Sequence, residues 1–275
     1  MTIQSEMTSG TRASVVAWAR LGGFIILIVT MVPVFLVLRA AGSSKTEKMP
    51  LLFHGLLSRL IGFKIRVHGV QKDRTKGQPV FFVSNHSSYL DIPALGSVIN
   101  GCFVAKSEVA GWPVIGSLAK LQNTVFIERR AVRASTQSTV LRNCLEEGKS
   151  LILFPEGTSS DGMRTLPFKS SLFSIVEKPL LSGQHVTVQP VTILCTEIGN
   201  MPIGRSWRPY YAWYGDMTLV KHVWDVFKIG SFTVDVIFHP AVTMEDFGSR
   251  KLMSEYCHRT ISKGVDQCVT GRFGT

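Results

Sequence analysis

The chain has 275 residues, a formal charge of +11, 45% hydrophobic residues and 18% charged residues. This apolar content excludes a largely disordered protein and favours a folded one, with one large domain or two small ones. A basic chain suits anionic partners, namely nucleic acid, an anionic membrane or an acidic small molecule.

The first element along the chain is an apolar segment, LGGFIILIVTMVPVFLVL, at residues 21–38. It carries no charge and lies between Arg20 and Arg39, and about twenty apolar residues are enough to cross a bilayer core. We predict an N-terminal membrane segment over residues 1–45 and a second domain over residues 46–275. The alternatives are an interfacial or re-entrant helix, which suits the short length and the central proline, and a signal peptide, whose apolar region is normally shorter.

Basic residues are more frequent after this segment than before it. Arg12 and Arg20 precede it, whereas four basic residues follow it: Arg39, Lys45, Lys48 and Arg59. The positive-inside bias therefore predicts that the main body faces the cytoplasm. The five cysteines agree with a reducing compartment, because their number is odd and they form no CxxC pair or cysteine–histidine cluster. The same pattern argues against a structural zinc site.

A second apolar segment, MPLLFHGLLSRLIGF, covers residues 49–63 and is too short to span a membrane. Its leucines recur at helical spacing among basic residues, which predicts an amphipathic helix. Two interpretations stay open for this helix: it packs on the domain surface, or it rests on a lipid surface.

After residue 48, strand-like segments rich in Val, Ile and Phe alternate with helix-like segments. The predicted strands are 64–70, 80–85, 102–106, 124–128, 150–155, 186–194 and 232–239. The predicted helices are 92–100, 112–121, 131–147, 168–178, 217–228 and 244–264. This alternation predicts an α/β fold, with a central, mostly parallel or mixed sheet flanked by helices. An N-terminal membrane-inserted or interfacial helical segment precedes it.

Two histidines each precede an aspartate by five positions, and several common catalytic motifs are missing. The chain has no GxSxG, GxxxxGK[ST], GxGxxG or HExxH motif. His68 falls inside a predicted strand and Asp73 in a charged loop, so this pair is interpreted as structural. His86 instead follows an apolar strand, at the strand end where α/β folds place their sites. With His86 in the turn and Asp91 in the first helical turn, the carboxylate can orient an imidazole that acts as a general base.

A second candidate loop, FPEGT, covers residues 154–158 and again follows a buried strand. Gly157 permits a tight turn whose backbone N–H groups, together with the hydroxyl of Thr158, can face an anion. Glu156 occupies a turn at a strand end, where a charged residue is unlikely to belong to the core.

At this point the sequence resembles the glycerolipid acyltransferases of the lysophosphatidic acid acyltransferase type. NHSSYLD matches the NHxSxxD block of that family, and FPEGT matches its second signature. Four further segments match in order: VAKSEVAGWPVIGSLAK (104–120), TVFIERR (124–130), PFKSSLF (167–173) and VQPVTI (188–193). The resemblance covers about residues 79–194 and is looser from WYGD (213–216) onward.

The resemblance implies a role for each matching residue. His86 would deprotonate the hydroxyl of a lysolipid, with Asp91 orienting it, and the hydroxyl would attack an acyl thioester on coenzyme A or acyl carrier protein. A thioester is already activated, so no acyl-enzyme on a serine is needed. Acceptor binding would fall to four residues: Arg129, Glu156, Gly157 and Thr158. Arg164 and Lys169 would add positive charge near the site.

Two positions depart from the family pattern and bear on the acceptor. Ser159 stands where the family often has an arginine after FPEGT, and Glu128 stands where it often has an aspartate. The first change removes a cation that could contact a phosphate headgroup. The FPEGTSSDGMRTLPFKS segment also resembles bacterial members that acylate lyso-ornithine lipid, whose headgroup has no phosphate.

The main prediction is a membrane-associated O-acyltransferase that converts lysophosphatidate into phosphatidate, with no cofactor and no metal. The alternative acceptors are lyso-ornithine lipid or another lysolipid, and a remote alternative is a non-catalytic, membrane-anchored lipid-binding protein. The expected partners are the lysolipid, the acyl-CoA or acyl carrier protein donor, and an anionic membrane surface. No nucleic-acid partner is expected, because the aromatic-plus-basic stacking pattern is absent. The expected location is the cytoplasmic or inner membrane, with the catalytic domain facing the cytoplasm.

Overall fold

A computed structural model of the chain describes residues 10–72, 78–128 and 134–272. Within these ranges, eight strands form one mixed sheet. The strands are β1 (Phe63–His68), β2 (Val80–Ser84), β3 (Cys102–Lys106), β4 (Val125–Ile127), β5 (Leu151–Leu153), β6 (Thr187–Ile198), β7 (Met201–Pro202) and β8 (Phe232–Phe238). Helices flank this sheet, so the predicted α/β class is confirmed.

The strands follow the order β1-β8-β6-β2-β5-β3-β4, and β7 pairs with β6. Strands β6, β2, β5, β3 and β4 run parallel to one another. Strand β8 is antiparallel to β6, and β1 is parallel to β8. Because β2 and β5 are parallel neighbours, the loops that leave their carboxyl ends lie side by side at one edge of the sheet.

The sheet is covered on both faces, which explains the uninterrupted apolar sequence of β2. Every residue of β2 is buried. Phe81 and Val83 point into one core and Phe82 into the other, as the two-residue period of a strand requires. Layers on both faces are the usual arrangement for parallel strands.

The described residues also form seven α-helices and several short 3-10 helices. The α-helices are α1 (Thr11–Ala40), α2 (Met49–Ile61), α3 (Asp91–Gly96), α4 (Ile115–Leu121), α5 (Ala134–Glu146), α6 (Leu219–Lys228) and α7 (Arg250–Val269). The helix predicted over 168–178 is instead a 3-10 helix at Ser170–Val176. The last helix begins later than predicted because Ser249 caps its N-terminus by accepting from the backbone N–H of Leu252, and it also ends later than predicted.

Helix α1 is longer than the predicted apolar span, since it starts ten residues before residue 21. By length and composition it could cross a membrane. Eight of its large apolar side chains are exposed: Val15, Trp18, Ile25, Ile26, Val29, Val34, Leu36 and Val37. It also contacts α2, where a methyl group on Gly23 would lie 2.6 Å from Cδ1 of Leu60.

The N-terminal third of α1 is attached to the rest of the protein by Arg20. This side chain is buried and donates hydrogen bonds to the carbonyl oxygens of Phe227 (3.0 Å), Ile229 and Gly230 (2.7 Å). These carbonyls lie at and just beyond the end of α6, where helix carbonyls lack intrahelical partners. Arg20 therefore caps α6 and cannot act as a free flanking charge.

Helix α2 packs on the domain through buried polar residues. Ser58 donates to the carbonyl of Pro93 at 3.0 Å, and Nε2 of His54 lies 2.5 Å from the side-chain oxygen of Gln122. Burial lowers the pKa of His54 to about 4, so this imidazole is neutral. Of the two interpretations, packing on the domain describes this face of α2, while Leu52 remains exposed.

Candidate active site

Two loops meet at the carboxyl ends of β2 and β5. The first contains His86 and the second contains Glu156, and the backbone N–H of His86 donates to Oε1 of Glu156 at 2.8 Å. Ser160 closes the same junction, because its backbone N–H donates to the carbonyl of His86 at 2.9 Å. The two candidate loops therefore form one structural unit.

His86 and Asp91 are in direct contact. Nδ1 of His86 lies 2.9 Å from Oδ2 of Asp91. The same oxygen accepts backbone N–H groups of Ser87 at 2.7 Å and Ser88 at 2.9 Å. The turn thus wraps around the carboxylate at the start of α3, and the five-residue spacing yields a contact that one continuous helix would not.

The exposure of the two side chains suits a general base and its orienting group. The side chain of Asp91 is 0% exposed, whereas that of His86 is 21% exposed. Since a carboxylate only accepts hydrogen bonds, Nδ1 carries the imidazole proton and Nε2 keeps its lone pair. Among the described residues nothing is hydrogen-bonded to Nε2. The imidazole also stacks on Phe154, with ring centroids 4.1 Å apart, which fixes its plane.

Glu156 is buried, so the expectation that it lies outside the core is wrong, and both of its carboxyl oxygens accept hydrogen bonds. Oε1 accepts from His86, and Oε2 accepts the backbone N–H of Leu166 at 3.0 Å. Burial raises the pKa of Glu156 to about 8, against the opposing effect of these two hydrogen bonds. The buried carboxyl group therefore holds the two loops together by accepting one backbone hydrogen bond from each.

Asn85 connects the first loop to strand β6. Its side-chain amide donates to the carbonyl of Ile193 at 2.8 Å and accepts the backbone N–H of the same residue at 2.9 Å. The amide therefore continues the ladder beyond the end of β2. The asparagine of the NHSSYLD block therefore has a structural role, which is to fix the start of the first loop against β6.

The other predicted site residues lie at or beside the second loop. Gly157 has φ +68°, a conformation that favours glycine, and Thr158 is exposed. A methyl group on Gly157 would lie 2.6 Å from Nζ of Lys169, so this ammonium covers the turn. Arg164 is exposed on the following loop. Arg129 falls outside the described residues.

Ser159 stands after FPEGT, where the resembled family often has an arginine, and its side chain is hydrogen-bonded within the protein. Its hydroxyl donates to the carbonyl of Trp213 at 2.5 Å. The side chain is therefore tied to the backbone of a distant segment and presents no charge to a ligand.

The sequence did not identify the segment at residues 208–213, here called the clamp segment, as part of the site. The hydroxyl of Tyr211 donates to Oδ1 of Asp91 at 2.9 Å. Arg208 donates to the carbonyl of Gly162 at 2.9 Å, and the backbone N–H of Trp213 donates to the carbonyl of Ser87 at 2.8 Å. In this region only WYGD (213–216) resembles the family pattern, and that segment contains Trp213 but not Tyr211.

Among the described residues, the histidine of the second candidate pair contacts an aspartate that is distant in sequence. His68 ends strand β1 and its Nε2 lies 2.7 Å from Oδ1 of Asp235 on β8. Asp73 falls outside the described residues. The interpretation of His68 as a strand residue is confirmed.

Within the described part of the chain, no group of three or more His, Cys, Asp or Glu side chains could hold a metal ion. All five cysteines are free thiols.

Comparison with known proteins identifies the family of this chain. A family model described as Acyltransferase matches residues 64–194. A lyso-ornithine lipid O-acyltransferase of Brucella abortus is 37% identical over 229 residues, which cover 82% of this chain and 85% of that protein. A 1-acyl-sn-glycerol-3-phosphate acyltransferase of Neisseria gonorrhoeae is 32% identical over 160 residues, which cover 58% of each chain.

A solved structure shares the fold. The 1-acyl-sn-glycerophosphate acyltransferase PlsC of Thermotoga maritima superposes with a TM-score of 0.64 and 22% identity, covering 96% of this chain and 97% of that one. The match extends over α1 and α2 as well as the sheet. The family match and the long alignment to the Brucella enzyme lead to one conclusion: this chain belongs to the acyltransferase family and is an acyltransferase.

Proposed function

We propose that this enzyme transfers a fatty acyl group from a thioester to the free hydroxyl of a lysolipid, with His86 as general base. The observation that carries the proposal is the 2.9 Å contact between Nδ1 of His86 and the buried Asp91, which leaves Nε2 without a hydrogen-bonded partner among the described residues. Nε2 removes the hydroxyl proton while the oxygen attacks the thioester carbonyl. The carbon–sulfur bond then breaks, and the leaving thiolate takes the proton from the imidazolium.

We infer that Asp91 and Glu156 act without touching either substrate. Asp91 fixes the imidazole tautomer and stabilises the imidazolium that forms during transfer. Glu156 holds the two loops together through His86 and Leu166. Acceptor binding falls to the exposed Thr158, the turn at Gly157 and the ammonium of Lys169, with Arg129 as a further predicted contact.

Within this function, lyso-ornithine lipid is our first choice of acceptor. The Brucella relative with that name aligns over 85% of its length, whereas the Neisseria relative that is named for acylglycerol phosphate aligns over 58%. Ser159 supports the same choice, because its hydroxyl is bonded to Trp213 and supplies no cation for a phosphate. Lysophosphatidate remains the second candidate, since Lys169 does place a cation at the turn.

An acceptor panel tests this choice. Purified full-length protein in detergent is given radiolabelled acyl-CoA or acyl carrier protein thioester together with lyso-ornithine lipid, lysophosphatidate or lysophosphatidylcholine. We expect product mainly from lyso-ornithine lipid with the preferred donor. Product from lysophosphatidate alone would replace our first choice by the second. Absence of product from every lysolipid with both donors would contradict the proposed function.

Ser159→Arg sharpens the panel, with Ser159→Ala as its matched control. Both variants remove the hydroxyl that donates to Trp213, but only the arginine adds a cation. We expect Ser159→Arg to raise activity with lysophosphatidate relative to lyso-ornithine lipid by about tenfold, which is the effect of one new charged hydrogen bond. Equal selectivity in the two variants would contradict a role for this position in choosing the headgroup.

We also propose that α1 places the enzyme at a membrane, with the catalytic domain on the cytoplasmic side. Exposed apolar side chains along α1 support insertion into lipid, and the basic residues that follow residue 38 support the orientation. Protease treatment of right-side-out and inverted vesicles, with a tag after α7, measures the orientation. Cleavage of the tag in right-side-out vesicles only would contradict it.

A further inference from the structure

The clamp segment contacts both signature loops from outside the region that the family model matches. Trp213 is bonded to the first loop through Ser87 and to the second through Ser159. Arg208 is bonded to the second loop through Gly162. The segment therefore joins the two loops through its own hydrogen bonds.

Tyr211 is the member of this segment that contacts Asp91 of the candidate catalytic pair. Its side chain is buried, with the ring packed near Phe63 and Phe232, so the hydroxyl has one fixed direction. The hydroxyl donates to Oδ1 of Asp91 at 2.9 Å. The other donor to Oδ1, the hydroxyl of Ser87, lies at 3.5 Å, at the limit of a hydrogen bond.

We propose that Tyr211 is a positioning residue that orients the Asp91 carboxylate toward His86 and moderates how strongly this carboxylate attracts the imidazolium proton. The proposal rests on the proposed function of His86 as general base. Tyr211 touches neither substrate and acts through Asp91. Its hydroxyl takes part of the carboxylate's negative charge on Oδ1, which leaves Oδ2 as a moderate acceptor for the imidazole.

Tyr211 keeps its proton at ordinary pH, so its hydroxyl is the donor in the contact with Asp91. Burial raises the pKa of Tyr211 well above its usual value, and the neighbouring charge of Asp91 adds to the effect. The titratable and charged groups that surround the Tyr211–Asp91 contact are His86, Tyr89, Glu156, Asp161, Cys195 and Arg208. Arg208 donates to the carbonyl of Gly162, and Cys195 is a buried, neutral thiol. Among the described side chains, the donors to the Asp91 carboxylate are therefore His86, Tyr211 and, at 3.5 Å, Ser87.

Tyr211→Phe removes the hydroxyl and keeps the buried ring. Without the donor on Oδ1, the carboxylate charge concentrates on the side that faces His86, so the imidazolium is stabilised. We expect the acidic limb of the kcat/KM profile to move to higher pH by about half to one unit. We expect kcat at its pH optimum to fall about tenfold, while the KM values for both substrates change less than about twofold.

Tyr210→Phe is the matched control. Tyr210 precedes Tyr211 directly and packs near Trp207, with ring centroids 5.2 Å apart, away from Asp91. The same chemical change at this position is expected to leave the pH profile unchanged. A loss that stems only from altered packing of the segment would appear in both variants.

The decisive measurements separate this inference from the proposed function. If the wild-type enzyme transfers acyl groups and Tyr211→Phe gives a profile that superimposes on it, the inference is wrong while the proposed function stands. If the wild-type enzyme shows no acyl transfer, the proposed function fails. Titration of isotope-labelled His86 by NMR gives a readout that needs no activity: a higher imidazole pKa in Tyr211→Phe supports the inference, and an equal or lower pKa overturns it.

Discussion

Two histidine–aspartate contacts of similar length lie at different places in this protein. His86 and Asp91 are 2.9 Å apart after β2, and His68 and Asp235 are 2.7 Å apart across β1 and β8. In both, the aspartate side chain is almost fully buried and the histidine is partly exposed. Distance and burial alone therefore do not distinguish them.

The other partners of each carboxylate do distinguish them. Arg66 forms a two-point ion pair with Asp235, at 2.8 Å and 2.7 Å, and Thr196 also donates to it. Burial alone would raise the pKa of Asp235, but the hydrogen bonds from Arg66, Thr196 and His68 lower it. A permanent cation already balances this charge.

Asp91 has no such cation among the described residues. Its donors are two backbone N–H groups, the hydroxyls of Tyr211 and Ser87, and His86. The negative charge therefore remains available to stabilise a proton that arrives on His86 during catalysis. The comparison teaches that the other partners of the carboxylate decide whether a histidine–aspartate contact can serve acid–base chemistry.

The largest expected effect comes from removing each histidine in turn. His86→Ala is expected to lower kcat/KM by about 10³-fold, because it removes the general base. His68→Ala is expected to stay within about twofold of the wild type, since it is a partly exposed strand residue. Acyl transfer rates and circular dichroism spectra of both variants measure this contrast. Equal losses in the two variants would break the comparison.

The next effect separates the two carboxylates. Asp91→Asn is expected to lower kcat about 100-fold, because an amide can present a donor to Nδ1 and favour the wrong imidazole tautomer. Asp235→Asn is expected to weaken the ion pair with Arg66 and lower the unfolding temperature, while the rate per folded molecule is kept. Kinetics and thermal unfolding are measured on both. A rate loss in Asp235→Asn that matches Asp91→Asn would contradict the assignment.

A smaller effect concerns Glu156. Its carboxyl group joins the loop of His86 to the second loop, and the contact between His68 and Asp235 has no corresponding link among the described residues. Because burial raises the pKa of Glu156 from 4.5 to about 8, the folded protein holds a proton that the unfolded chain releases between these values. The stabilisation is fully present below about pH 4.5 and is lost as the pH rises toward 8. Glu156→Gln leaves one backbone N–H without an acceptor, so we expect its free energy of unfolding to be lower by about 1–3 kcal/mol at acidic pH.

This difference is expected to shrink as the pH approaches 8, where the wild-type protein has lost the contribution of the proton. Urea unfolding in detergent at a series of pH values measures it. Glu177→Gln is the control, because this exposed carboxylate is paired with Arg250, at 3.4 Å, and with no other cation in the described part of the chain. A difference that stays constant across the series would contradict the role of Glu156.

Much of the fold could be predicted from local sequence patterns. Strand β3 was predicted at its observed bounds, and β2 and β8 to within one residue, because buried strands read as short apolar runs between turn signals. The 3-10 helix at Ser170–Val176 was mistaken for an α-helix, since both share similar apolar spacing. The position of His86 and Asp91 in one turn was also predictable, because their contact is local.

The sequence by itself determined the α/β class, the apolar N-terminal helix, and the two loops that carry His86 and Glu156. Each of these follows from neighbouring residues: apolar periodicity, turn-forming residues, or a motif of a few positions. Tertiary structure alone decided that Glu156 faces inward, that Arg20 caps α6, and that Tyr211 bonds Asp91. These contacts join residues separated by 70 to 210 positions, and no local pattern fixes which buried donor will meet which acceptor once the sheet has formed.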